Sequence, residues 1–166
     1  MGVNLENISI ERANLTHVDG ILKLAEANSP ERGGELTGRL PREEVAATIQ
    51  MSPAVVAVSK GLVVGFLLTW EKSFATTPCA VTMLAAYSGS EDAFVHGPVC
   101  VDASLRGRGV AGAMFNELRK LIPGREGILF IKASNEASIR AHIKMGVHQT
   151  AEYIYNDNPF IIFAYR

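Results

Sequence analysis

The chain has 166 residues, of which 48% are hydrophobic and 20% charged, an ordinary globular composition that predicts one domain over residues 1–166 with a core that needs no disulfide staples. Lys and Arg total 16 against 17 for Asp and Glu, a net charge of −1 that argues against a strongly basic nucleic-acid module and against an acidic disordered tail. Cys79 and Cys100 form no CxxC pair, the longest apolar run (residues 61–68) is too short to span a bilayer, and no secretory leader is evident, so the expectation is a soluble cytoplasmic protein with no membrane partner.

Turn residues divide the chain into elements. Residues 8–12 read as a short strand. Thr16-His17-Val18-Asp19 opens a helix whose apolar stripe is Val18, Ile21, Leu22 and Ala25. Residues 28–41 carry Pro30, Gly33, Gly34 and Gly38 and read as a loop, and residues 42–51 read as a second helix stopped by Ser52-Pro53. Residues 54–58 and 62–70 flank Lys60-Gly61 as a β-hairpin. Residues 71–92 are polar at both ends, with a strand expected at 80–86. Residues 93–101 form a strand, and residues 110–122 a helix with Val110, Met114, Phe115, Leu118, Leu121 and Ile122 on one face, ended by Pro123-Gly124. Residues 128–131 are continuously apolar, as in a strand buried on both faces. Residues 135–145 form a helix closed by Gly146. Two strands, 147–155 and 159–165, follow around an Asn-Asp-Asn-Pro turn. About seven strands and four helices imply an α/β (α+β) mixed sheet.

The sharpest local feature is Val99-Cys100-Val101-Asp102-Ala103-Ser104-Leu105-Arg106-Gly107-Arg108-Gly109-Val110-Ala111-Gly112-Ala113, a strand that meets a Gly-rich turn opening a helix. The first amides of a helix have no internal acceptor and carry partial positive charge, and glycines let a ligand approach them closely. Together these make a phosphate cradle, to which Arg106 and Arg108 add charge. No GK[ST] follows, so this is no Walker loop. Gly107, Gly109 and Gly112 fit GxGxxG spacing, which keeps a dinucleotide-binding reading open, but Lys132-Ala133-Ser134-Asn135 stands where a ribose-binding acid would be expected.

Arg106-x-x-Gly109-x-Ala111 resembles the (Gln/Arg)-x-x-Gly-x-(Gly/Ala) signature of the GNAT N-acetyltransferase superfamily, and the order of elements over about residues 8–165 is similar as well. The resemblance implies a mostly antiparallel seven-stranded sheet with a central, splayed parallel strand pair and about four flanking helices. It implies acetyl-coenzyme A as acyl donor, its pyrophosphate on Arg106, Gly107, Arg108, Gly109, Val110, Ala111 and Gly112, and its pantetheine arm on Val99, Cys100 and Val101. Gly97-Pro98 supports the splay independently, because a proline inside a strand forces a bulge or an unpaired edge. The freed backbone groups could then pair with an extended amide-containing arm.

The stretch from Asn135 to Val147 resembles the family's Asn-x₆-Tyr-x₃-Gly-Phe segment, with Asn135 and Ser138 implied as cofactor contacts. Asn135 also suits a helix N-cap. Where the family places a tyrosine that protonates the departing thiolate, this chain has His142. A thiol has pKa about 8.5 and an imidazole about 6.5, so His142 can serve as the catalytic acid near neutrality. Some relatives carry a glutamate base at the position of Val95; here His96 or a water wire is left as the base. His17 and His148 have no partners at metal-binding spacing, and neither HExxH nor GxSxG occurs, so no metal and no hydrolase nucleophile are expected. Residues 29–42 and 71–92, with Glu35, Glu43, Glu44, Trp70, Tyr87, Glu91 and Asp92, are the implied acceptor loops, and their acids suit a cationic amine.

The expected activity is N-acyl transfer from acetyl-coenzyme A to a primary amine of a small molecule or a peptide, by direct attack on the thioester. A non-catalytic acyl-coenzyme A sensor or partner-binding domain on the same fold is the alternative. No nucleic-acid partner is expected, and a homodimer is left open.

Overall fold

In chain order the elements are β1 (Ser9–Arg12), α1 (Val18–Ala27), α2 (Arg42–Met51), β2 (Val55–Ser59), β3 (Leu62–Glu71), α3 (Pro78–Ala86), β4 (Phe94–Val101), α4 (Val110–Leu121), β5 (Gly127–Lys132), α5 (Glu136–Lys144), β6 (His148–Tyr155) and β7 (Asn158–Tyr165). The structure is a computed structural model that describes residues 7–32, 36 and 40–166. The strands form a seven-stranded sheet in the order β1-β2-β3-β4-β5-β7-β6. The pair β4–β5 is parallel, while β1–β2, β2–β3, β5–β7 and β6–β7 are antiparallel. The mixed, mostly antiparallel sheet expected from the sequence is therefore present. Among the described residues there are five α-helices rather than four.

The extra helix corrects the strand expected at 80–86. That segment belongs to α3, Pro78–Ala86. The Thr77 hydroxyl accepts from the Ala80 amide and Pro78 fills the first helical position, a start signal placed just before the apolar run. Ala, Met and Leu are strong helix formers, whereas a short apolar run has no period that separates helix from buried strand. A smaller correction concerns α1, which buries Val18, Ile21, Leu24 and Ala25, with Leu22 only half-buried. A 3₁₀ turn, Leu15–His17, precedes it, with the Asn14 side chain accepting from the Thr16 amide at 2.9 Å.

The chain divides into two compact units. The first comprises the described residues up to Thr69 together with Gly97–Ile122. Its core takes Val18, Ile21 and Leu24 from α1, Val45 and Ile49 from α2, Val55, Val56 and Ala57 from β2, Phe66, Leu67 and Leu68 from β3, and Val110, Met114, Phe115 and Leu118 from α4. Each such large side chain contributes about 1.5–3 kcal/mol on burial. Gly65 lets α4 lie close on β3, since a Cβ there would sit 3.1 Å from Met114 Cε. The apolar face read for α4 is the buried one, except that Leu121 is half-buried. Thr48 donates to the Thr69 carbonyl at 2.6 Å and Thr69 to that of Pro53 at 2.6 Å, which ties α2 to the end of β3.

The second unit comprises Trp70–His96 and Pro123–Arg166. Here β7 pairs with β5 from Gly127↔Tyr165 to Lys132↔Phe160 and with β6 on its other side. The β6–β7 turn is Asn156-Asp157, both at positive φ (47° and 61°), the backbone that a two-residue hairpin loop requires. Its core includes Met83 of α3, Val95, Ile128, Tyr153, Phe160 and Ile162. The Phe160 ring stacks on Tyr153 at 5.3 Å between centroids. Parallel pairing of β4 with β5 covers Phe94↔Gly127 and Val95↔Ile128, immediately before the cis Gly97–Pro98 bond. The interruption expected at Gly97-Pro98 thus falls where this pairing ends.

Candidate functional site

In the first unit, β4 runs into a tight turn and then α4. Asp102 starts the turn: its carboxylate accepts from the Ser104 amide at 3.0 Å and the Ser104 hydroxyl at 2.6 Å. Those two hydrogen bonds hold the Asp102 carboxyl below the usual range. The Asp102 amide donates to the Val64 carbonyl at 2.8 Å, anchoring the strand end on β3. Gly107 and Gly109 have φ of 72° and 84°, the left-handed region where a side chain is strained. Gly109 is the N-cap of α4 and has no side chain to satisfy the helix start. Among the described residues, the amides of Gly107, Arg108, Gly109, Val110, Ala111 and Gly112 have no acceptor. The guanidinium of Arg108 is exposed beside them and likewise without a partner among the described residues. Among the described residues, a Cβ at Gly107, Gly109 or Gly112 would meet nothing within 4 Å, so these glycines face open space. Such a run of free donors at a helix N-terminus suits a multiply charged anion.

Arg106 is placed differently from Arg108. Its Nε donates to the Val101 carbonyl at 3.2 Å, and its Nη2 donates to the side-chain oxygen of buried Asn28. Asn28 caps the C-terminus of α1 and donates through Nδ2 to the Leu24 carbonyl at 2.9 Å. Arg106 thus fastens the turn to the end of α1, a role the sequence reading missed because the partners are 78 residues apart. On β4, Val99 and Val101 are half-buried and Cys100 is buried. Burial pushes the Cys100 thiol up to about 11, which keeps it un-ionised and poorly nucleophilic near neutrality.

The second unit holds the other predicted site residues. Asn135 is the N-cap of α5 and accepts from the Ser138 amide at 3.3 Å. One turn on, His142 is 7% exposed. Its Nδ1 lies 2.8 Å from the Ser138 carbonyl oxygen and 3.3 Å from the Ser138 hydroxyl. A carbonyl can only accept, so Nδ1 carries the proton. Burial lowers the His142 pKa below 6.5, against a smaller upward pull from the Ser138 carbonyl. His96, the candidate base, is 4% exposed and hydrogen-bonded through Nδ1 to the Tyr165 hydroxyl at 2.7 Å. Its burial, with His142 nearby, holds it well below 6.5. The two imidazoles stand edge to face with centroids 6.2 Å apart. Tyr165 was not singled out from sequence. It stands opposite Gly127 in the ladder, where a Cβ would lie 2.4 Å from its ring, so the glycine makes room for the tyrosine that orients His96.

The implied acceptor residues are scattered in role. Tyr87 donates to Glu126 at 2.9 Å, and Glu126 also accepts from the Ser90 amide at 2.6 Å. Asp92 accepts from the Ser90 hydroxyl at 3.0 Å, and its carbonyl accepts from Arg125 at 2.8 Å. These bonds organise the turn that carries them. Glu43, Glu44 and Glu91 are exposed, Trp70 is half-buried, and Glu35 lies outside the described residues. Among the described residues no group of three His, Cys, Asp or Glu side chains is arranged to hold a metal ion, and no helix is long and apolar enough to cross a membrane.

Among solved structures the chain is similar to an N-acetyltransferase from Staphylococcus aureus, at 23% identity and a TM-score of 0.68, over 96% of this chain and 98% of that one. An acetyltransferase of the GNAT family from Bacillus cereus matches with a TM-score of 0.68 at 15% identity, over 96% of each chain. The fold is that of the GNAT acetyltransferases. Arabidopsis thaliana NAA60 in complex with acetyl-CoA shares it, at 19% identity and a TM-score of 0.67 over 95% of this chain and 97% of that one. No family model and no curated protein sequence matches the chain.

Proposed function

We propose that this protein is an N-acyltransferase that takes an acetyl group from acetyl-coenzyme A and passes it to an amine. The observation that carries the reading is the run of amides from Gly107 to Gly112, without acceptors among the described residues, at a glycine-rich start of α4 beside the exposed guanidinium of Arg108. A diphosphate presents the oxygens such a donor set lacks. In this reading Arg106, Gly107, Arg108, Gly109, Val110, Ala111 and Gly112 hold the diphosphate, Arg106 by anchoring the turn. Val99, Cys100 and Val101 offer main-chain groups to the pantetheine arm, with Asn135 and Ser138 as further contacts. His142 is the catalytic residue and delivers a proton to the departing sulfur, without which the thiolate is a poor leaving group. Positioning of the amine and polarisation of the thioester carbonyl supply the rest of the acceleration. The acetyl-CoA complex of a protein of the same fold supports the choice of donor, and the near-neutral charge supports a peptide or small-molecule acceptor over nucleic acid.

The test is calorimetry with acetyl-coenzyme A and with NAD, followed by thiol release in the presence of an amine panel. Binding of acetyl-coenzyme A but not NAD, with amine-dependent thiol release, is expected. Binding without release would instead make the protein an acyl-coenzyme A sensor. No heat with millimolar acetyl-coenzyme A would end the transferase reading.

A further inference from the structure

We infer that His142 handles both protons of the transfer, serving first as base for the amine and then as acid for the sulfur. This rests on the transferase reading above and assigns the step that the reading leaves without a base.

The orientation of the ring decides it. With Nδ1 donating to the Ser138 carbonyl at 2.8 Å, the neutral imidazole has Nε2 as its one remaining polar atom, and that atom is a lone pair. Among the described residues Nε2 has no partner. Nor is it sealed from solvent, since among the described residues the one sealed, unpaired side-chain polar atom is Ser29 Oγ. Burial favours this neutral form near pH 7. A ring in that state has no proton at Nε2 to give until it has taken one. The groups facing it reinforce the state. From β4 comes His96, itself neutral and tied to Tyr165 of β7. On its own helix the neighbour is Ser138, while Glu136, Arg140 and Lys144 are exposed. Val95, the residue before His96 on β4, is 4% exposed and unable to titrate.

The balance closes on one atom. As the amine nitrogen bonds to the acyl carbon, its proton passes to Nε2 and the ring becomes an imidazolium, both of whose nitrogens donate. The C–S bond then breaks with its electron pair going to sulfur, and Nε2–H returns that proton to the thiolate. The products are the amide and the free thiol, and His142 regains its neutral form. The Ser138 carbonyl holds Nδ1–H throughout, the role a buried acceptor plays behind any imidazole shuttle.

Two measurements test this. Long-range proton–nitrogen NMR on histidine-labelled protein, with His142→Gln as the assignment control, should show a neutral ring protonated at Nδ1 at pH 7. An Nε2–H tautomer or an imidazolium at that pH would overturn the shuttle. The second follows thiol release from acetyl-coenzyme A with the amine panel and with water as acceptor. His142→Gln should lower kcat about 10²–10⁴-fold and leave the calorimetric Kd for coenzyme A within about threefold. His142→Tyr restores a proton donor but, with a phenol pKa near 10, no neutral-pH base, so it should recover under about a tenth of the activity at pH 7 and gain as pH rises. A tyrosine variant as active as the parent at pH 7 would overturn the shuttle and leave the transferase reading standing. Thiol release from no acceptor, or absence of coenzyme A binding, would remove the transferase reading and the shuttle with it. Because tyrosine is larger than the buried histidine it replaces, a misfolded variant leaves the NMR result to decide.

Discussion

Gly112→Ala separates what the fold needs from what a diphosphate needs. Gly112 is the third residue of α4, with φ outside the positive region, and among the described residues a Cβ there would meet nothing within 4 Å. The protein itself therefore has no steric or conformational use for this glycine. Alanine in a helix is favoured over glycine by about 0.5–1 kcal/mol, which for a chain of this size raises Tm by about 1–4 °C. The new methyl group leans toward the helix N-terminus, over the amides proposed to hold the diphosphate. Losing one charge-assisted hydrogen bond there costs about 1.5–3 kcal/mol, or roughly 10- to 100-fold in Kd for coenzyme A. Thermal melting and calorimetry on the same preparation read both effects. Gly109→Ala is the control: at φ 84° it carries a left-handed penalty of about 1–2 kcal/mol and should lower Tm. A Gly112→Ala protein that is stabilised yet binds coenzyme A as the parent does would refute the placement of the diphosphate. One that is destabilised would refute the account of the helix start.

The Asn28–Arg106 contact should appear as coupling in a double-mutant cycle of Asn28→Ala and Arg106→Lys, about 1 kcal/mol by chemical denaturation, and a value under about 0.3 kcal/mol would show that the turn is held by other means. Stability should also fall with acid. His96 and His142 have folded pKa values below 6.5, so the unfolded chain binds protons that the folded chain refuses. Their contribution is complete above pH 6.5 and is lost as pH falls through the folded values, with a slope of up to about 1.4 kcal/mol per pH unit for each histidine. Urea midpoints that stay flat from about pH 7 to pH 5 would contradict the burial of these rings in neutral form.

Much of this protein is legible along the chain because the signals are local. The turn at Lys60-Gly61, the hairpin at Asn156-Asp157, the face of α4 and the Asn135 cap each depend on residues a few positions apart, and each is found where its residues predict it. The Gly-rich turn is local too, since the free amides at the start of α4 follow from the helix opening at Val110 behind the Gly109 N-cap. The segment 80–86 reads wrongly from its own residues: α3 is apolar enough that no polar period marks its outer face, and the helix signal is the Thr77 cap with Pro78 at the first position.

The chemistry divides along the same line. The amino-acid order by itself determined which residue types occupy the turn and helix α5, down to a histidine four residues before Gly146. Packing alone decided what those groups can do. Arg106 is an anchor because Asn28 is brought to it across 78 positions, and His96 is neutral because folding surrounds it and sets His142 nearby, while Tyr165 reaches its ring from 69 positions away. His142 has its hydrogen-bond partner one turn away on its own helix, but its lowered pKa comes from burial, and desolvation is a property that only the assembled core can impose.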